Sequence, residues 1–364
     1  MKKIGLMTFH TAFNCGAMLQ AIATQLALNK IGFDCTIIDY YPNSVEEENR
    51  QYSFNVCNFR FFIKGLLMPF FPHTKRRTAR FEKFRNKMNL TKRYKDINEL
   101  IEDLPLFDIY MVGSDQVWNT QAALSSVYFL DFVPDEKRKV TYASSFGTST
   151  IDKKYNNEVR RLLNRFDQIA VRESFGQKII VDLLGKKVPV VLDPTFLLSK
   201  NEWEKFEKKE FDYEREFPNG YLFYYGSLEI EGTEQLLNKL ATIYKVPIVL
   251  SYSGMYSKIK VNKKVYDVGP QEFLSLIKNA TLVFSNSFHA TVFSIIYQKE
   301  FYVIPHPTRN SRMESLLDIL GLSARFVTNE TVEERISAID YVPVNARLQS
   351  EINKSYKYLQ MIML

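Results

Sequence analysis

KIGLMTF (3–9), GAMLQAIATQLALNK (16–30) and DCTIIDY (34–40) decide the fold. The first is an apolar run followed by turn residues and reads as a strand. The second places Met18, Leu19, Ile22, Leu26 and Leu28 near helical spacing, with Gly32 as a stop. The third is another strand. Strand, helix and strand within 40 residues make a βαβ unit, which calls for a parallel sheet.

Working outward, the alternation continues. FDIYMVGSD (107–115) and KVTYASSFG (139–147) are apolar strands ending in small polar residues, DKKYNNEVRRLLNRF (152–166) is a helix, QIAVR (168–172) a strand and ESFGQKIIVDLLG (173–185) a helix with a glycine stop. VPVVLDPT (188–195) leads out of this half. After a charged patch, a second series begins: strands at 221–226, 247–252, 281–287 and 300–305, with helices at 232–244, 270–280, 289–297 and 311–321. The stretch 345–364 reads as one amphipathic helix. The expectation is an α/β protein of two Rossmann-like, doubly wound domains facing a cleft. The first spans 1–187, the second 188–344, and a terminal helix follows.

The chain has 364 residues, too many for one core by the usual limit of about 250–300. Three cysteines (Cys15, Cys35, Cys57) make no disulfide framework and no metal-ligand spacing, so a reducing, cytoplasmic setting is expected. The stretch behind Met-Lys-Lys is too short and too polar for a signal peptide, and no run is long enough to span a membrane. The net charge of +7 is uneven. Between Phe59 and Lys95 stand twelve basic residues and one acid, so that segment carries +11 and the remainder −4. A basic, aromatic-rich segment superficially suits nucleic acid, but the mildly acidic body and the lack of any recognisable binding module exclude that partner.

Ligands of open parallel sheets sit outside the carboxyl ends of the strands, so residues just after strands carry the candidates. Asn14 and Gly16 open the first helix, where free backbone N–H groups suit an anion; the plainer alternative is a turn with an N-cap. Asp115, in GSDQVWN (113–119), projects toward the cleft mouth as a base for a sugar hydroxyl, or else forms a local turn. Trp118 could stack on a sugar or pack in the core. Arg172 ends a strand and suits a carboxylate or phosphate, or a surface ion pair. In SNSFHATVF (285–293), His289 stands at a strand-to-helix junction beside Ser287, the best placed of four histidines. Arg309 and Arg312 stand at a further helix start. No GxGxxG or Walker pattern occurs.

Seven stretches in order, FNCGAMLQ, DIYMVGSDQVWN, YASSFG, AVRE, VVLDPT, SNSFHATVFSIIYQKEFYVIP and RNSRMESLLDILGL, make the chain resemble the polysaccharide pyruvyl transferase family over nearly its whole length. The resemblance implies a GT-B-like fold, phosphoenolpyruvate as co-substrate and a sugar of a polysaccharide precursor as acceptor. That acceptor can be carried on a lipid diphosphate. With that chemistry in mind, His289 and Asp115 are the expected catalytic pair. Arg172, Ser287, Arg309 and Arg312 are expected on the donor, and Asn14, Gly16 and Trp118 on the acceptor. No cofactor or metal is expected. Several family members carry Arg-x-His where this chain has Ser287-Phe288-His289, and Arg312 or Arg309 is expected to supply the missing cation. The readings in competition are a nucleotide-sugar glycosyltransferase of the same fold and a non-catalytic family member. For the basic segment, which includes FFIKGLLMPFFP (61–72), two readings stand: peripheral contact with an anionic membrane surface, or a helix packed on the first domain with a solvated basic face.

Overall fold

The computed structural model describes residues 1–42, 72–121, 124–208, 213–226, 230–252, 257–305, 310–328 and 337–362. The first half contains β1 (Lys3–Met7), α1 (Cys15–Lys30), β2 (Asp34–Tyr40), α2 (Pro72–Arg85), β3 (Leu90–Tyr94), α3 (Ile97–Glu102), β4 (Ile109–Val112), β5 (Arg138–Thr141), α4 (Asn156–Leu163) and α5 (Ser174–Leu184). After the short α6 (Lys200–Glu204) and α7 (Tyr213–Glu216) come β6 (Leu222–Gly226), α8 (Thr233–Tyr244), β7 (Ile248–Tyr252), β8 (Lys263–Lys264), α9 (Pro270–Asn279), β9 (Leu282–Ser285), α10 (Phe288–Ile296), β10 (Glu300–Val303), α11 (Ser311–Leu320) and α12 (Tyr341–Met361).

The strands form two parallel five-stranded sheets, ordered β3-β2-β1-β4-β5 and β10-β9-β6-β7-β8. Each order reverses beside its first strand, between β1 and β4 and between β6 and β9. Loops leaving neighbouring strands part at such a point, and a crevice opens there. The central strands are buried on both faces, which is why β1, β4, β6 and β9 read as unbroken apolar runs.

The expected elements are present with adjusted ends. The stretch 168–172 is held by isolated bridges rather than a full strand. Val171 pairs with both Ser144 and Val190, so residues beyond 187 extend the first sheet. The expected division at 187/188 therefore falls inside the N-terminal unit. α12 also folds back onto that unit. Tyr358 donates to Thr141 O at 2.8 Å, and Ser355 Oγ accepts from Leu192 N at 3.0 Å. One apolar cluster runs from Ile4 and Leu6 through α1 to Phe223, Val283 and Phe293, so the two sheets share a core.

The basic segment shows what its charges do. Arg77 and Arg85 of α2 are buried, with Arg77 donating to Phe13 O and Arg85 paired with Asp39. Arg76 pairs with Asp267 at 2.6 Å, and Arg80 reaches Glu272 at 3.1 Å, so α2 straps the first half to α9 of the second. The expectation of a free basic face is corrected at these four positions, because carboxylates distant in sequence hold three of them and the Phe13 carbonyl holds the fourth. Residues 59–71, with most of the apolar run, lie outside the described residues. Among the described residues, no helix is long and apolar enough to cross a membrane.

Candidate active site

A cavity of about 170 Å³ opens where the two switch points face each other. Its walls come from the exits of β1, β4, β9 and β10: Asn14, Asp115, Gln116, Asn286 to His289, Val303 and Ile304, and Asn310, Arg312 and Met313. Three of these, Asn14, Ser287 and Asn310, are the N-caps of α1, α10 and α11. Three helix N-termini therefore meet at one cavity, each carrying unsatisfied N–H groups and the positive end of its dipole. Only Asn14 spends its side chain on its own helix, accepting from Ala17 N at 3.2 Å.

Gly16 stands in the first turn of α1 because nothing larger fits. A Cβ there would lie 2.1 Å from Nδ1 of His289. The imidazole is thus wedged between the two helix starts. Its Nε2 is buried and lies 3.5 Å from Oδ2 of Asp193.

Asp193 is the centre of a buried network that the sequence reading did not assign. Its Oδ1 accepts from Thr195 N and Oγ1, and its Oδ2 from Ser114 Oγ at 3.1 Å and Arg172 Nη1 at 2.7 Å. Burial by itself would raise this carboxyl, but His289, Arg172 and Thr195 outweigh it and hold the group far below the usual carboxylate range. The available signal was VVLDPT, another apolar run ending in a polar residue. Glu173 is also buried, accepting from Ser145 Oγ and Phe146 N. Burial pushes its carboxyl up, against the pull of Arg172 and Arg312.

Asp115 lines the cavity in a left-handed conformation (φ 80°), costly for a residue with a Cβ and typical of functional sites. The turn is fixed by Ser145 N donating to Asp115 O and Gln116 N donating to Asp115 Oδ1. Arg312 lines the opposite wall, its guanidinium 5.7 Å from the centre of the Phe288 ring. The Gln116 carboxamide, oriented to satisfy its neighbours, accepts from it at 2.8 Å.

Two expectations are corrected. Arg172 is not part of the cavity wall. It is buried behind it, bound to Asp193 and lying near Asp115 (3.7 Å) and Glu173 (3.9 Å), with the Phe288 ring 4.6 Å away. It neutralises carboxylates of the site instead of meeting a ligand. Trp118 is 1% exposed, stacked on Phe129 and donating to Tyr128 O, so it offers no face to a sugar. Arg309 lies outside the described residues. Asn14, Asp115, Ser287, His289 and Arg312 line one cavity, and Gly16 lies against His289. Among the described residues, no group of three or more His, Cys, Asp or Glu side chains could hold a metal.

The whole chain superimposes on 98% of a UDP-N-acetylglucosamine 2-epimerase from Rickettsia bellii, with a TM-score of 0.51 and 11% identity, which supports the two-domain GT-B-like fold. The glycosyltransferase SnogD from Streptomyces nogalater is more distant, at a TM-score of 0.47 and 12% identity over all of this chain and 99% of that one. Comparison with curated proteins by sequence returns no match. The model of one family, polysaccharide pyruvyl transferase, matches residues 14–307 and so takes in the cavity wall from Asn14 to Ile304. This transferase therefore belongs to the polysaccharide pyruvyl transferase family.

Proposed function

We propose that the protein transfers the pyruvyl group of phosphoenolpyruvate onto two hydroxyls of a sugar in a polysaccharide precursor, forming a ketal and releasing phosphate. One observation carries the reading: three helix N-termini and Arg312 converge on one cavity around His289. A donor with a carboxylate and a phosphate on one small carbon frame needs such a concentration of positive potential in a confined space.

The chemistry distributes over the site as follows. The methylene carbon of the donor gains a proton, and the adjoining carbon becomes electrophilic. A first sugar hydroxyl adds there as Asp115 takes its proton. Phosphate leaves, and the second hydroxyl closes the ring. Of the two hydroxyl protons, the balance puts one in the new methyl group and one on phosphate. His289 serves the phosphate as acid, and Arg312, Ser287 and the N-termini of α10 and α11 hold the anionic groups. Asn14 and Gly16, on the first domain, stand on the acceptor side. Arg172 helps to keep Asp193 ionised.

Incubation with labelled phosphoenolpyruvate and a panel of lipid-linked and nucleotide-linked sugars tests the reading. Phosphate release with label in the sugar supports it. Release of a nucleotide from a nucleotide sugar, with no phosphate, replaces it with glycosyl transfer. In the same assay Arg312→Glu is expected to raise the donor KM by at least about tenfold, the loss of one charge-assisted contact. An unchanged KM removes Arg312 from the donor site.

Gly16→Ala should cost both stability and activity. The added methyl would lie 2.1 Å from Nδ1 and 2.8 Å from Cβ of His289, and ring rotation cannot relieve the second contact, so overpacking should cost about 1–3 kcal/mol and lower melting. The displaced His289 should then cost about 10²-fold in kcat. Unaltered turnover would mean that the two helix starts yield instead of the ring.

A further inference from the structure

We propose that Asp193 is a positioning residue that fixes the His289 proton on Nε2, so that Nδ1 is the atom which exchanges a proton with the ligand. The inference rests on the proposed role of His289 in the transfer reaction and specifies which atom acts.

The geometry leaves the ring little choice. Nε2 is buried and has no hydrogen-bond partner among the described residues, and Oδ2 of Asp193 stands 3.5 Å away. Asp193 is ionised and can only accept. A bare Nε2 lone pair facing it would be repelled, whereas an N–H is attracted. The other nitrogen, Nδ1, lies against Gly16 in the first turn of α1, in a residue that lines the cavity. Asp193 cannot turn away. Thr195 holds Oδ1 at 2.7 Å, and Ser114 and Arg172 hold Oδ2. Asp115 and Arg312 are the charged groups that line the same cavity as the ring, and Glu173 lies beside Arg172.

In the cycle this implies, the imidazolium gives its Nδ1 proton to an oxygen of the departing phosphate. The neutral ring keeps Nε2–H toward Asp193, and Nδ1 takes up the proton that the second sugar hydroxyl releases on ring closure. No bond to the ring forms or breaks except N–H. The short Asp-Pro step that opens the 194–197 turn thus supports the catalytic histidine across the boundary between the two halves.

The test is the ring's tautomer, read from nitrogen shifts in full-length protein labelled at histidine, with the His289 signal assigned by its loss in His289→Gln. The neutral ring of His289 in the native protein should show the Nε2–H form; the Nδ1–H form overturns the inference. Asp193→Ala removes the acceptor opposite Nε2, so the ring should lose its preference for Nε2–H and kcat should fall about 10³-fold or more, with a smaller change in donor KM. An Asp193→Ala protein with the native tautomer preference also overturns it. If that variant does not fold, the native tautomer still decides. The nitrogen shifts need no turnover, so absence of phosphate release would count against the transfer reaction and not against the tautomer.

Discussion

His289→Ala is expected to lower phosphate release from phosphoenolpyruvate plus acceptor by about 10²–10⁴-fold, the range for loss of a placed acid. The fold should survive. The imidazole's ion-pair contact is with Asp193, and Asp193 keeps Arg172, Ser114 and two bonds from Thr195 when the ring is gone. No buried charge is stranded. The truncation leaves space beside Gly16, at a point already open to the cavity. Circular dichroism and melting should therefore match the native protein while turnover collapses. Turnover within a few-fold of native would remove His289 from the chemistry. It would leave the anion-binding helix starts intact as a donor site without its acid.

The largest expected stability effect lies elsewhere, at Asp39. Its carboxylate accepts from His10 Nε2 at 3.1 Å, pairs with Arg85 and lies 3.4 Å from Arg93. Arg85 is 6% exposed, and its next carboxylate, Glu82, is 3.8 Å away. Asp39→Asn leaves a buried guanidinium without its counter-charge, a loss of about 3–5 kcal/mol. Burial would raise the Asp39 carboxyl, but His10 and Arg85 overcome it and hold the group below its ordinary value. A carboxylate depressed in the folded state contributes its stability above the unfolded pKa of about 3.9 and loses it as pH falls further. The difference between native and variant in urea unfolding should accordingly be full at pH 7 and shrink in acid. A difference below about 1 kcal/mol at pH 7, the size of a surface pair, would show that Arg85 finds water or Glu82 instead.

Much of the site was legible because strand exits are legible. Asn14, Asp115, Ser287, His289 and Arg312 all stand shortly after an apolar run, and in two parallel sheets those ends face one crevice. What was not legible depends on partners distant along the chain. Nothing near Trp118 announces that Phe129, Phe146 and Phe166 will enclose it. Arg172 reads as a ligand for an anion, and the anion turned out to be Asp193. The basic count between 59 and 95 was correct as arithmetic, yet Asp39, Asp267 and Glu272 absorb four of those charges, Arg76, Arg80, Arg85 and Arg93, from other elements. β3, with LTKRY, was missed because an edge strand can be polar and still pair through its backbone.

The return of α12 to the first sheet bears on how the chain is made. Tyr358 and Ser355 dock on Thr141 and Leu192, residues synthesised about two hundred positions earlier. A nascent first half leaves the ribosome with the seat for that helix bare. It must stay soluble with this groove open until both sheets and the closing helix have emerged. The slowest contact to form is the one of greatest sequence separation, since its ends are furthest apart in the unfolded chain. Expression of residues 1–187 alone would yield a half that lacks both the 188–192 edge of its sheet and the helix from the far end of the chain.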